Sequence, residues 1–365
     1  MKALFDESGT VEGLEKLIQE AIFKNAKGIM LLACDANGFT PVGIDRVLQE
    51  CKVPIFGGIF PEIIFENKKY DRGSALLILD NHEVNIQILE NLSEATTDIG
   101  VELQNHETAD FKTMFVYVDA FSTSIETMVN EIYYEFGLES NFIGGGAGSL
   151  SFVQKPVIVT NKGLLQDAAV LATVQYASSI GVKHGWYKIE GPFQITKSNK
   201  NVIEELDYRP AFEVYKQKVE NHSDKRFDGE NFFEIAKGYP FGISKLGSEH
   251  IVRDPISVVN DAMVCVGNVK NGDYLDILSG DVDTLVTASH QAVEEASKAG
   301  AEYDLVFFID CISRVLFLQE NFQKELDGIS ASTKNMLGAL TLGEIANTGK
   351  NYLEFYNKTA VVGVF

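Results

Sequence analysis

The chain lacks any apolar run long enough to cross a bilayer. Its longest are about eight residues, where a helical span needs ~20. Its start, Met1-Lys2-Ala3-Leu4-Phe5-Asp6-Glu7, lacks the basic-then-apolar order of a signal peptide. Cysteine is scarce: Cys34, Cys51, Cys265 and Cys311 form no CxxC pair and no His–Cys cluster at zinc spacing. Three of them lie in apolar runs, where a free thiol behaves as a small core residue, as in a reducing compartment. Together these absences lead us to expect a cytoplasmic protein without a membrane segment. Cations are short as well. The net charge is −21, and no Lys or Arg falls between Arg72 and Lys112, a stretch that carries eight acids from Asp80 to Asp110. Such a surface repels phosphate backbones and excludes nucleic acid as a partner. It serves solubility, or else docking of a basic protein. The catalytic signatures GxSxG, HExxH and GxxxxGK[ST] are all missing.

What is present is a globular composition, 45% apolar over 365 residues, enough for two domains with their own cores. Three continuous apolar runs, Gly28–Asp35, Met114–Asp119 and Leu305–Asp310, read as buried strands. Each is followed by a helix-like stretch and then a glycine-bearing segment: Gly57-Gly58, Gly144-Gly145-Gly146-Ala147-Gly148, and Gly338 with Gly343. A further β-like run closes each unit: Ser74–Leu79, Ala168–Val174 and Thr359–Phe365. The expected class is α/β, with two packed domains, 1–200 and 201–365, whose mixed sheets are flanked by helices and share this strand–helix–glycine-loop unit. Ser74–Leu79 and Val84–Leu89 read as antiparallel neighbours, Val258–Val266 as one strand, and Lys270-Asn271-Gly272-Asp273 as a hairpin turn. Thr123-Ser124-Ile125-Glu126 reads as a capping box. A helix from Asp281 should end at Gly300, and His82, His106 and His222 should be exposed.

Such units bring polar strand-end residues to one rim, where α/β proteins bind ligands. Arg314, just past the third strand, offers a bidentate fork to a ligand carboxylate, or pairs internally with Glu344. Arg253 reads as an internal ion-pair partner or a second ligand contact. Cys311 is a candidate thiolate, with no base beside it in sequence. Gly144, Gly145 and Gly146 either cradle an anion with backbone amides or make a tight turn between packed layers. Asp119 and Asn357 complete the candidate ligand set. His184, beside Trp186, is either a core histidine bonded to backbone or a ligand to iron.

These motifs, taken in order, resemble the FIST (F-box and intracellular signal transduction) family. The strand Ile29–Cys34, Gly57-Gly58 and Gly144–Gly148 carry the N-terminal resemblance, followed by His184-Gly185-Trp186, Val202–Asp207 and Pro210-Ala211. Tyr239-Pro240-Phe241-Gly242, Arg253-Asp254-Pro255, Cys311-Ile312-Ser313-Arg314, Gly343-Glu344-Ile345 and Tyr356-Asn357-Lys358-Thr359 carry the C-terminal one. The chain departs from the family pattern at Ser313 and Val315, where glycines commonly flank the arginine. The resemblance implies a non-enzymatic sensor of a small molecule, amino-acid-like or another small anion. No output domain fits within 365 residues, so the signal is expected to pass to a separate protein such as a histidine kinase or diguanylate cyclase. Some stand-alone members bind haem and sense nitric oxide. Here that would need an axial ligand, with His184 the first choice.

Overall fold

The computed structural model describes residues 1–104, 111–137, 139–244, 250–297, 303–330, 335–347 and 352–365. It is α/β, with three six-stranded mixed sheets and a fourth, curled half-barrel sheet of eight strands. The three apolar runs become the strands Gly28–Cys34, Thr113–Asp119 and Val306–Cys311, buried along their whole length. None is an edge strand. Each runs parallel to the next strand of its unit, Ile55–Phe60, Asn141–Ala147 and Met336–Thr341. On its other side each pairs antiparallel with Ser74–Leu79, Ala169–Val174 or Ala360–Val364. The parallel pairs are joined by helices, as the crossover requires: Pro41–Glu50, Ile125–Phe136, and the two helices Ile312–Leu318 and Phe322–Ser330.

The glycine segments have one shared steric reason. A Cβ on Gly57, Gly144 or Gly338 would overlap the carbonyl oxygen of its register partner, Leu31, Val116 or Phe308. Only glycine lets the parallel strands approach at that point.

After each parallel pair a hairpin leaves its own unit and joins another sheet. Glu62–Phe65 pairs with Met336–Thr341, Ile158–Thr160 pairs with Ile55–Phe60, and Glu344–Ala346 pairs with Asn141–Ala147. The three sheets are therefore tied in a ring. Phe56, Phe115 and Phe307, one from each, meet at its centre with ring centroids 5.9 and 5.6 Å apart. Strands from both sides of residue 200 share two of these sheets. The half-barrel, built between Tyr187 and Ser279, interrupts the third unit between its edge strand Ser179–Lys183 and the helix Val282–Ala296.

Several local expectations change. Ser74–Leu79 and Asn85–Leu89 lie in different sheets. Val258–Val266 is a hairpin, because Asn260 and Asp261 both take positive φ (49° and 63°) and turn the chain. The Lys270–Asp273 turn joins strands that are not paired to each other. Ser124 caps its helix without a side-chain bond, and Glu126 reaches away to Asn268. Asp281 does cap its helix, in a reciprocal box with Thr284. Gly300 and His106 lie outside the described residues.

Candidate ligand site

A cavity of about 610 Å³ opens where two strand ends face the half-barrel. Its volume is typical of small-molecule sites. Ala120–Thr123, just past Thr113–Asp119, form one wall, and Cys311–Ser313 with Leu316 form the opposite one. Leu342, Gly343, Phe355 and Asn357 close the third side, and Asp254, Ile256 and Cys265–Asn268 of the half-barrel close the fourth. The lining is mostly apolar. Glu126 links two walls, accepting from Asn268 N at 2.6 Å and from its Nδ2 at 3.1 Å.

The strand-end aspartates brace these walls and do not face the cavity. Asp119 accepts from Phe121 N (3.0 Å), Gln154 Nε2 (2.8 Å) and Asp167 N (2.8 Å), which fixes the first wall. Asp310 accepts from Cys311 N at 2.8 Å and pairs with Arg314 Nε at 2.8 Å.

Arg314 is the main correction. Its side chain is fully buried and absent from the cavity wall. The reason is helical phase. Ile312, Ser313 and Leu316 turn to the cavity, while Arg314, Val315 and Leu318 turn into the protein. There Arg314 pairs with Asp310 and Glu325 and donates to the carbonyls of His184 (2.6 Å) and Leu285 (3.2 Å). Burial alone would lower its pKa, but the two carboxylates hold it above the ordinary value. Burial also raises both acids, and Asp310 pushes Glu325 further up. Glu344, named as Arg314's alternative partner, instead accepts from Thr341 Oγ1 (2.9 Å) and Thr359 N (3.2 Å). Burial, with Asp310 adding to it, pushes its pKa well above the usual carboxylate range.

The other expected contacts divide. Gly144, Gly145 and Gly146 lie inside a strand bonded on both sides, so their amides are not offered to an anion. Arg253 is buried and donates to the carbonyls of Phe355 (3.1 Å) and Asn268 (3.0 Å), holding two walls from behind. Burial lowers its pKa. Cys311 does line the cavity, 3.2 Å from Ser313 Oγ, but burial and then the Glu344 charge raise its pKa, so it stays a thiol. Asn357 also lines it. Its side chain is only 1% exposed, yet its amide oxygen and nitrogen have no hydrogen-bond partner among the described residues.

Sequence reasoning passed over Asp254 and Lys358, each adjacent to a residue that it named. Asp254 Oδ2 lies 3.2 Å from Lys358 Nζ, which also donates to Lys237 O at 3.0 Å and sits 5.2 Å over the Trp186 ring. Burial raises Asp254's pKa against the pull of Lys358.

His184 does not line the cavity. Its Nδ1 accepts from Trp186 N at 2.9 Å, and Trp186 Nε1 donates to Lys358 O at 3.1 Å, so the histidine fixes a turn in the core. The haem reading does not fit these residues. The nitrogen lone pair is engaged, and the sulfurs that do face the cavity, Cys265 and Cys311, are thiols with pKa values raised by burial.

A family model for the FIST N domain matches residues 30–209, and one for the FIST C domain matches residues 211–347. The chain belongs to the FIST family. Domains of this family are signal-transduction sensors implicated in small-ligand binding. Both matched segments contribute walls to the cavity. Comparison with curated proteins finds no match. No helix among the described residues is long and apolar enough to cross a membrane.

Proposed function

We propose that this FIST protein is a cytoplasmic sensor that binds a small molecule in the 610 Å³ cavity and passes the signal to a separate output protein, such as a histidine kinase or diguanylate cyclase. The observation that carries the reading is Asn357, a residue of the lining whose buried carboxamide has no partner among the described residues, in a cavity walled by both family segments. A buried amide left unpaired costs free energy that a bound ligand would recover. Occupancy would act on both segments at once, because Glu126 and Asn268 join a wall from the first segment to one from the second. The acidic ligand expected from Arg314 loses its support, since that guanidinium is spent inside the protein. Catalysis through Cys311 is disfavoured by its raised pKa. The test is thermal-shift screening of a metabolite library against the native chain and Leu316→Trp, which fills the mouth. A ligand that stabilises the native chain and not the variant supports the reading. Ligands that stabilise both equally overturn it.

A further inference from the structure

We propose that the ligand is uncharged, with an apolar body and a carboxamide-like head, and that Asn357 reads the head. This rests on the sensor reading of the same cavity. The side chain of Asn357 presents an acceptor and two donors, all unpaired among the described residues. A primary amide, a lactam or a similar heteroaromatic edge carries a donor and an acceptor side by side and satisfies both atoms at once.

A charged head is poorly served. A carboxylate would share its wall with Asp254 and would need a cation turned to it. Lys358 is committed to Asp254, to the Lys237 carbonyl and to the Trp186 ring. Lys200 stands exposed at the rim. An ammonium head would find the charge of Asp254 already matched by Lys358, and Asp254 Oδ1, unpartnered among the described residues, accepts an amide N–H equally well. Burying either ion without a partner is costly.

Exposure orients the ligand. Asn357 (1%) and Asp254 (4%) lie deep, whereas Phe152 (64%), Leu316 (41%) and Ile256 (36%) stand at the opening. Phe152 is held there with φ of 54° and packs edge-on against Phe121 at 6.3 Å. The head therefore points inward and the apolar body lies toward the mouth.

The experiment uses the full chain, with N-phenyl-1-naphthylamine as fluorescent probe and octanamide, octanoate and octylammonium as competitors at neutral pH. Two recovered hydrogen bonds predict that octanamide competes about tenfold better than either ion. Asn357→Leu, close in volume, should erase that preference. If the leucine variant does not fold, Asn357→Asp serves instead: octanamide should weaken about tenfold, and octylammonium should gain. Octanoate or octylammonium binding as well as octanamide, or a preference that survives at Asn357→Leu, overturns the proposal. Leu316→Trp separates the two levels. Probe binding lost in that variant, with a flat head-group series in the native chain, sinks the ligand class and leaves the site. Probe and amide binding untouched by it sinks the site itself.

Discussion

Replacing Arg314 with methionine tests whether this arginine holds the fold or the ligand. The side chain is fully buried between Asp310 and Glu325 and donates to two carbonyls. Methionine fills much of the space but leaves Asp310 without its counter-charge and the His184 and Leu285 carbonyls without their donor. Breaking a buried pair from one side typically costs ~3–5 kcal/mol. Unfolding entropy scales with length, so for 365 residues the loss corresponds to a Tm lower by about 4–7 °C if the ring of shared sheets melts as one unit. The assay is differential scanning calorimetry on Arg314→Met and on the triple variant Arg314→Met/Asp310→Asn/Glu325→Gln. The triple variant should recover part of the loss, since neutral groups need no counter-ion. A single variant melting within 1 °C of the native chain, yet blind to a ligand that the native chain binds, would refute the structural role and return Arg314 to the pocket.

Four further outcomes are expected. Gly144→Ala should cost at least the ~3 kcal/mol at the top of the overpacking range, because its Cβ meets the backbone of Val116, which cannot swing aside. Gly43→Ala, in an exposed helical turn with its nearest neighbour 3.5 Å away, should gain ~0.5–1 kcal/mol, and urea titration of the two variants against the native chain measures both changes. Glu344→Gln should stabilise increasingly as pH rises. The folded pKa of Glu344 lies above the unfolded one, so its contribution is full below the ordinary glutamate range and is lost as pH climbs through the folded value. Melting temperatures of both proteins from pH 5 to pH 9 should diverge, and parallel curves would contradict the raised pKa. His184→Ala removes the acceptor for Trp186 N and should cost ~1–2 kcal/mol, while a haem titration followed at the Soret band should be the same as for the native chain.

The central strands were legible because a strand covered on both faces must be apolar at every position, and Gly28–Cys34, Val306–Cys311 and most of Thr113–Asp119 meet that demand without alternation. The recurrent glycines were legible as a pattern but not as a cause. Their composition fits an anion cradle as well as a close strand approach, and only the register of Gly57, Gly144 and Gly338 against backbone carbonyls separates the two. The exchange of hairpins was invisible, since Glu62–Phe65 carries nothing that says its partner lies some 270 residues away in Met336–Thr341. Asn260-Asp261 was a readable turn signal, hidden inside a run otherwise rich in β-branched residues. At the site, the rule that strand ends face the ligand held for Cys311 and Ser313 and failed one residue later. The helix starts at Ile312, and its 100° step carries Arg314 round to Glu325, a residue that sequence gave no reason to pair with it. Asn357 was named from a motif alone. What singles it out is a lack of partners in space, and a sequence records which groups are present, never which of them remain unsatisfied once the chain has closed.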